Sequence, residues 1–176
     1  MRKLKLDELG RLSVEEYKVA SKIKVSVLLD NIRSMHNVGS VFRTADAFRA
    51  EKIFLTGITG QPPHKEINKT ALGATESVDW EYVKEARGVI ETLQSAGYEI
   101  VAVEQAEGSI SLDDFSIQQE KKYLLVFGNE VFGVSDEVME RCDCCLEIPQ
   151  YGTKHSLNVS VSVGIVLREF SKMLAS

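Results

Sequence analysis

Short apolar runs separated by polar turns organise this chain. Val25–Asp30, Lys52–Gly57, Glu99–Val103, Tyr123–Gly128 and Cys145–Pro149 are each five or six residues long and rich in Val, Ile and Leu. Runs this short and continuous predict strands covered on both faces, as in a parallel sheet. Between them the apolar spacing lengthens. Over Val38–Arg49, the residues Val41, Phe42, Ala45 and Phe48 fall on one helical face. Val83–Ala96 predicts a second helix, stopped by Gly97. Val134–Arg141 predicts a third, with Ser135 and Glu137 in a capping-like context. This alternation predicts a single α/β domain, a mostly parallel sheet flanked by helices. Residues 1–20 are expected to form a helical extension anchored by Leu6, Leu9 and Leu12, ahead of a domain over residues 21–176.

The last segment, SLNVSVSVGIVLREF, supports two readings. Val159, Val161 and Val163 alternate with serines, the strand period, while Val159, Val163, Val166 and Phe170 share a helical stripe. Ser156 or Asn158 can cap a helix, and the segment is expected to be helical. Ser160, Ser162 and Gly164 would then form a small-residue face permitting close packing.

Composition narrows the classes. The 176 residues carry 44% hydrophobic and 27% charged residues, an ordinary balance for a soluble domain. No apolar run reaches the roughly 18 residues of a membrane span, and the charged start MRKLKLDELGRL lacks a signal core, so a cytoplasmic protein is expected. A net charge of −5 argues against coating nucleic acid by bulk attraction, though Arg2, Lys3 and Lys5 begin a local basic patch. Cys142, Cys144 and Cys145 have no second pair to complete a metal site, so no metal is expected there.

Three segments hold polar residues in unusual density. FGNEVFGVS, Phe127 to Ser135, spaces Gly128 and Gly133 as a phosphate-cradling P-loop would. Val134 stands where the lysine belongs, and Glu130 would repel a phosphate. The loop suits hydroxyls, an amino group or a positive centre better, or it is simply a tight strand-to-helix turn. NIRSMHNVGSVFRTADAF, Asn31 to Phe48, places Asn37 and Arg43 after a strand, where open α/β sheets bind ligands. Arg43 is either a solvated arginine on a surface helix or a residue facing a cleft. EIPQYGTKHSLNVSVSVG, Glu147 to Gly164, carries Ile148, Ser156, Leu157 and Asn158 past a proline turn.

Together these segments resemble the three motifs of the SpoU (TrmH-type) RNA 2′-O-ribose methyltransferases of the SPOUT superfamily, over about residues 23–172. KTALGATESVDW resembles that family's linker after the second strand. The resemblance implies an α/β domain with a deep C-terminal trefoil knot, an exception to the unknotted rule. It implies S-adenosylmethionine as cofactor, held by Phe127, Gly128, Asn129 and Gly133 of motif two and by Ile148 and Leu157 of motif three. It also implies a catalytic set of Arg43, Asn37, Glu130, Ser156 and Asn158, a homodimer, and methylation of tRNA or rRNA. Arginine is effectively always charged, so Arg43 is expected to stabilise a developing alkoxide or clamp a phosphate, not to act as base. The competing expectations are a non-catalytic knotted RNA-binding module and a nucleotide-phosphate binder.

Overall fold

A computed structural model describes residues 1–174; the last two residues of the expected domain, and the side chain of Leu6, lie outside it. Seven strands form one sheet: β1 (Val25–Asp30), β2 (Lys52–Thr56), β3 (Trp80–Val83), β4 (Tyr98–Val103), β5 (Ile110–Ser111), β6 (Lys122–Phe127) and β7 (Cys144–Glu147). Their spatial order is β3-β2-β1-β6-β4-β7-β5, and every pairing is parallel. The five anticipated strands are present within a residue or two of their expected ends. The two additions, β3 and β5, are edge strands whose exposed, polar positions hid them from an apolar-run search.

Helices cover the sheet: α1 (Val14–Val19), α2 (Met35–Ala47), α3 (Lys65–Ala71), α4 (Ala74–Ser77), α5 (Ala86–Ser95), α6 (Asp136–Met139) and α7 (Val159–Leu174). The helix expected at Val38–Arg49 starts three residues earlier, because Ser34 accepts from the Asn37 N–H and caps it. Val83 belongs to β3, so α5 starts at Ala86; Gly97 follows it with φ 81°, the left-handed stop. Only Asp136–Met139 of the expected Val134–Arg141 helix forms. The linker-like KTALGATESVDW contributes to α3, α4 and β3.

The final segment is a helix. Val159, Val163, Val166, Leu167 and Phe170 of α7 are buried, the stripe that the helical reading requires. Phe170 packs edge-on to Tyr123 of β6, their ring centroids 5.0 Å apart. Gly164 is not a point of tight approach: an added Cβ would reach only Thr44 Cγ2, at 4.0 Å. The close approach lies at Gly39 of α2, where a Cβ would collide with the Ile67 carbonyl and Thr70 hydroxyl of α3. At the N-terminus, Leu9 and Leu12 are exposed, and the buried anchor is Tyr17. An aromatic ring buries more apolar area there than either leucine, and Lys22 Nζ covers its face at 3.9 Å.

Candidate active site

Parallel strands point their carboxyl ends to one edge of the sheet, and the polar loops gather there. The turn after β6 is held shut by paired backbone bonds, Asn129 N–H to Gly133 O and Gly133 N–H to Asn129 O, both 2.9 Å. The Asn129 side chain braces it from within and ties it to the loop after β1. Its Oδ1 accepts from Val131 N (2.9 Å) and Phe132 N (3.1 Å), and its Nδ2 donates to Asn31 O (2.7 Å). Gly133 takes φ 71°, which an L side chain resists. Ser135, which sits where a P-loop would present a metal-binding hydroxyl, instead donates to the buried Asp30 at 2.9 Å.

Glu130 crosses from this turn to the start of α2. Its carboxylate accepts from Arg33 N (2.9 Å), Ser34 N (3.0 Å) and Asn37 Nδ2 (3.0 Å). An ionised carboxylate only accepts, so Asn37 must offer it the amide nitrogen and turn its oxygen outward. That oxygen accepts from Asn158 Nδ2 at 3.0 Å. Asn158 Oδ1 in turn accepts from Ser160 N at 2.9 Å and caps α7. One row, Asn158–Asn37–Glu130, therefore ties the three polar segments together.

Burial alone pushes the Glu130 carboxyl up. The N–H donors of Arg33, Glu130 itself and Ser34, with the Asn37 amide, outweigh it and hold the pKa below its ordinary value. A carboxyl depressed on folding contributes stability above its unfolded value of about 4.3 and loses it as pH falls through the lower folded value. The Arg33 and Ser34 amide resonances are therefore expected to titrate with a midpoint below that unfolded value. A midpoint above that value would show that the clamp does not form.

Beside this row lies a cavity of about 320 Å³, near the lower size of small-molecule sites. Phe127, Gly128, Asn129, Glu130 and Gly133 form one wall, and Ile148, Ser156 and Leu157 face them. Val131, His155, Val159 and Ser162 also line it, with three residues that the sequence did not single out: Glu104 and Gln105, just past the end of β4 at Val103, and Gln150. No lysine or arginine is among its lining residues, while two carboxylates are. That donor set repels phosphate and suits a cationic ligand with an apolar body, so the residues fit a sulfonium nucleoside.

Arg43 is placed differently. It follows Asn37 by six residues on α2, about 120° round the helix and about 9 Å further along. It is exposed and does not line the cavity. It lines a separate groove of about 1100 Å³ with Arg11, Tyr17, Asp46 and Arg49. No ion pair engages Arg43 among the described residues.

The cysteines stand apart from this chemistry. Burial, reinforced by neighbouring thiols and Asp143, pushes Cys142 up to about 12; burial also pushes Cys144 up to about 11 and raises Cys145. Thiolate is scarce at such values. Alkylation by iodoacetamide at pH 8 is expected to be slow in the native protein and fast in urea; equal rates would contradict this burial. Among the described residues, no group of three or more His, Cys, Asp or Glu is placed to hold a metal ion. No helix there is long and apolar enough to cross a membrane.

Fold and site together define an open, parallel α/β domain with its ligand cavity at the carboxyl edge, closed by a glycine turn and the start of the last helix. The family model described as SpoU rRNA Methylase family matches residues 24–168. The chain belongs to that family. It is 33% identical over 147 residues to the tRNA (guanosine(18)-2′-O)-methyltransferase of Aquifex aeolicus, covering 81% of this chain and 66% of that one. It is 32% identical over 143 residues to the 23S rRNA (guanosine-2′-O-)-methyltransferase RlmB of Neisseria meningitidis serogroup B, covering 81% and 56%. The crystal structure of the AdoMet-bound rRNA methyltransferase from Sinorhizobium meliloti superposes with TM-score 0.81 at 29% identity, covering 94% of this chain and 62% of that one. The chain thus spans less than two thirds of each of these relatives.

Proposed function

We propose that the chain transfers a methyl group from S-adenosylmethionine to a ribose 2′-hydroxyl of tRNA or rRNA, acting as a homodimer in the cytoplasm. The observation that carries this reading is the Asn158–Asn37–Glu130 row beside a cavity whose lining has carboxylates and no lysine or arginine. The named activities of the Aquifex and Neisseria relatives, and the AdoMet bound in the Sinorhizobium structure, support it. We assign residues 1–20 as an extension and residues 21–176 as the methyltransferase domain.

The bound cofactor supplies an electrophilic methyl carbon on sulfur. The protein supplies position and charge. The backbone of Gly128, Ile148 and Leu157 lines the cavity and would hold the nucleoside, while Phe127, Val103 and Ile148 exclude water. Glu130 is fully engaged with the start of α2, so its work is to hold motif two against motif one, not to remove a proton. Asn37 and Asn158 are likewise joined to each other and fix the last helix to the first motif. Ser156, exposed at the cavity edge, is placed to meet the ribose. Arg43 stabilises charge developing on the 2′-oxygen, or clamps the adjacent phosphate while a phosphate oxygen takes the proton. Because Arg43 lies off its own cavity, we assign it to the site of the partner subunit in a two-fold dimer.

The knot belongs to the same reading. The chain leaves β7 beyond β4, lines the cavity with Ile148, Gln150, His155, Ser156 and Leu157, and returns to pack α7 against α2 on the far side of β6. Passage of that return beneath the residue 128–135 turn would make the trefoil. The non-catalytic reading is disfavoured because Arg43, Asn37, Glu130, Ser156 and Asn158 are all present and three of them form one hydrogen-bonded row. Labelled methyl transfer to total RNA from a strain lacking the gene, followed by mapping of the modified ribose, tests the proposal. Absence of S-adenosylmethionine binding by calorimetry would return the non-catalytic module, and tighter binding of ATP would return the phosphate binder.

A further inference from the structure

We propose that Glu104, which lies outside all three motifs, reads the ribose hydroxyls of the methyl donor; the inference rests on the donor assigned above. The sheet order β1-β6-β4-β7 sets the carboxyl-edge loops side by side in that order. Two carboxylates tie the glycine turn after β6 to its neighbours on either side. Glu130 reaches towards the β1 side, to Arg33, Ser34 and Asn37. Glu104 comes from the β4 side: its Oε2 accepts from Val134 N at 3.1 Å, and a Cβ on Gly133 would collide with it. Asn37 and Asn158 of the assigned catalytic set meet on the β1 side, so the reacting end of the donor belongs there. The nucleoside end then lies on the β4 and β7 side, where Glu104, Gln105, Ile148 and Gln150 form the wall.

Glu104 is oriented there before any ligand arrives. Its Oε1 accepts from Gln105 N at 2.9 Å, completing a two-point hold on the carboxylate. No lysine, arginine or histidine pairs with it among the described residues. A carboxylate offers about four lone-pair sites, and these contacts use two. The remainder can only accept. At the nucleoside end of the donor, the two neighbouring ribose hydroxyls are donors spaced to meet the two oxygens of one carboxylate. Glu130, with three of its sites taken at the start of α2, has too few left to meet two hydroxyls.

The test is calorimetric and uses S-adenosylhomocysteine, S-adenosylmethionine and the 2′-deoxy and 3′-deoxy forms of S-adenosylhomocysteine. Charge-assisted hydrogen bonds of this kind correspond to roughly tenfold to hundredfold in affinity. The wild-type protein is expected to bind at least one deoxy form that much more weakly. Glu104→Gln is expected to weaken S-adenosylmethionine and S-adenosylhomocysteine alike and to lose the preference for the full ribose. A variant that keeps the wild-type preference overturns the proposal. So does one that weakens only S-adenosylmethionine, which would mean Glu104 senses the sulfonium charge. The wild-type comparison needs no folded variant: equal affinity for ribose and deoxyribose forms ends the idea by itself. Failure of the wild-type protein to bind either natural form would sink the donor assignment, and this inference with it.

Discussion

Arg43→Ala is expected to lower the rate of methyl transfer by about 10²–10³, the range typical of removing one preorganised charge-stabilising donor. Affinity for S-adenosylmethionine should stay within about twofold, because Arg43 does not line the cavity. Arg43→Lys should recover only part of the rate, since an ammonium keeps the charge and loses the planar fork. Rates near wild type for both variants would remove Arg43 from the chemistry. A loss confined to cofactor binding would place its side chain in the cavity after all.

The second large effect is expected at Gly128. An added Cβ there would strike the Val134 amide nitrogen and the Gly133 carbonyl group, all backbone, with no flexible side chain to yield. Overpacking against fixed backbone costs roughly 1–3 kcal/mol. Gly128→Ala should therefore open the turn and weaken cofactor binding about tenfold to hundredfold by calorimetry. Unchanged affinity would mean that the turn relaxes without disturbing its inner wall.

The two variants together decide which subunit Arg43 serves. In an equilibrated mixture, a heterodimer pairs an intact cavity with an intact arginine from the opposite chain. If Arg43 works across the interface, about a quarter of wild-type activity should return, because half the dimers are mixed and each holds one complete site. If it works within its own chain, every site stays defective and mixing restores nothing.

Much of this site was legible in the chain because its chemistry is local. FGNEVFGVS announces a glycine turn without a phosphate lysine, and all six residues of Val25–Asp30 are buried, so the apolar run marked its strand without ambiguity. What escaped depended on partners distant in sequence. Glu104 follows an ordinary strand, and nothing beside it suggests a ligand; its role arises only when β4 and β6 pair. Asp30 reads as the polar end of a strand until Ser135 is folded onto it, 105 residues away. Glu130 looked like a free carboxylate facing a cationic ligand; its actual partners are the amides that open α2. The small-residue face of α7 suggested that Gly164 admits a close neighbour, yet the tight contact is made by Gly39, whose neighbour α3 no local pattern identified. Leu9 and Leu12 have the spacing of anchors yet are exposed, because spacing alone cannot tell a segment laid on the surface from one packed into it.

The row that joins Asn158 to Asn37 spans 121 residues, and its continuation to Glu130 spans 93. A ribosome making this chain from its N-terminus finishes every strand before it makes the residue that closes the row. An emerging polypeptide can therefore pair its strands before the residues that finish the cavity wall, Ser156 to Ser162, have been made.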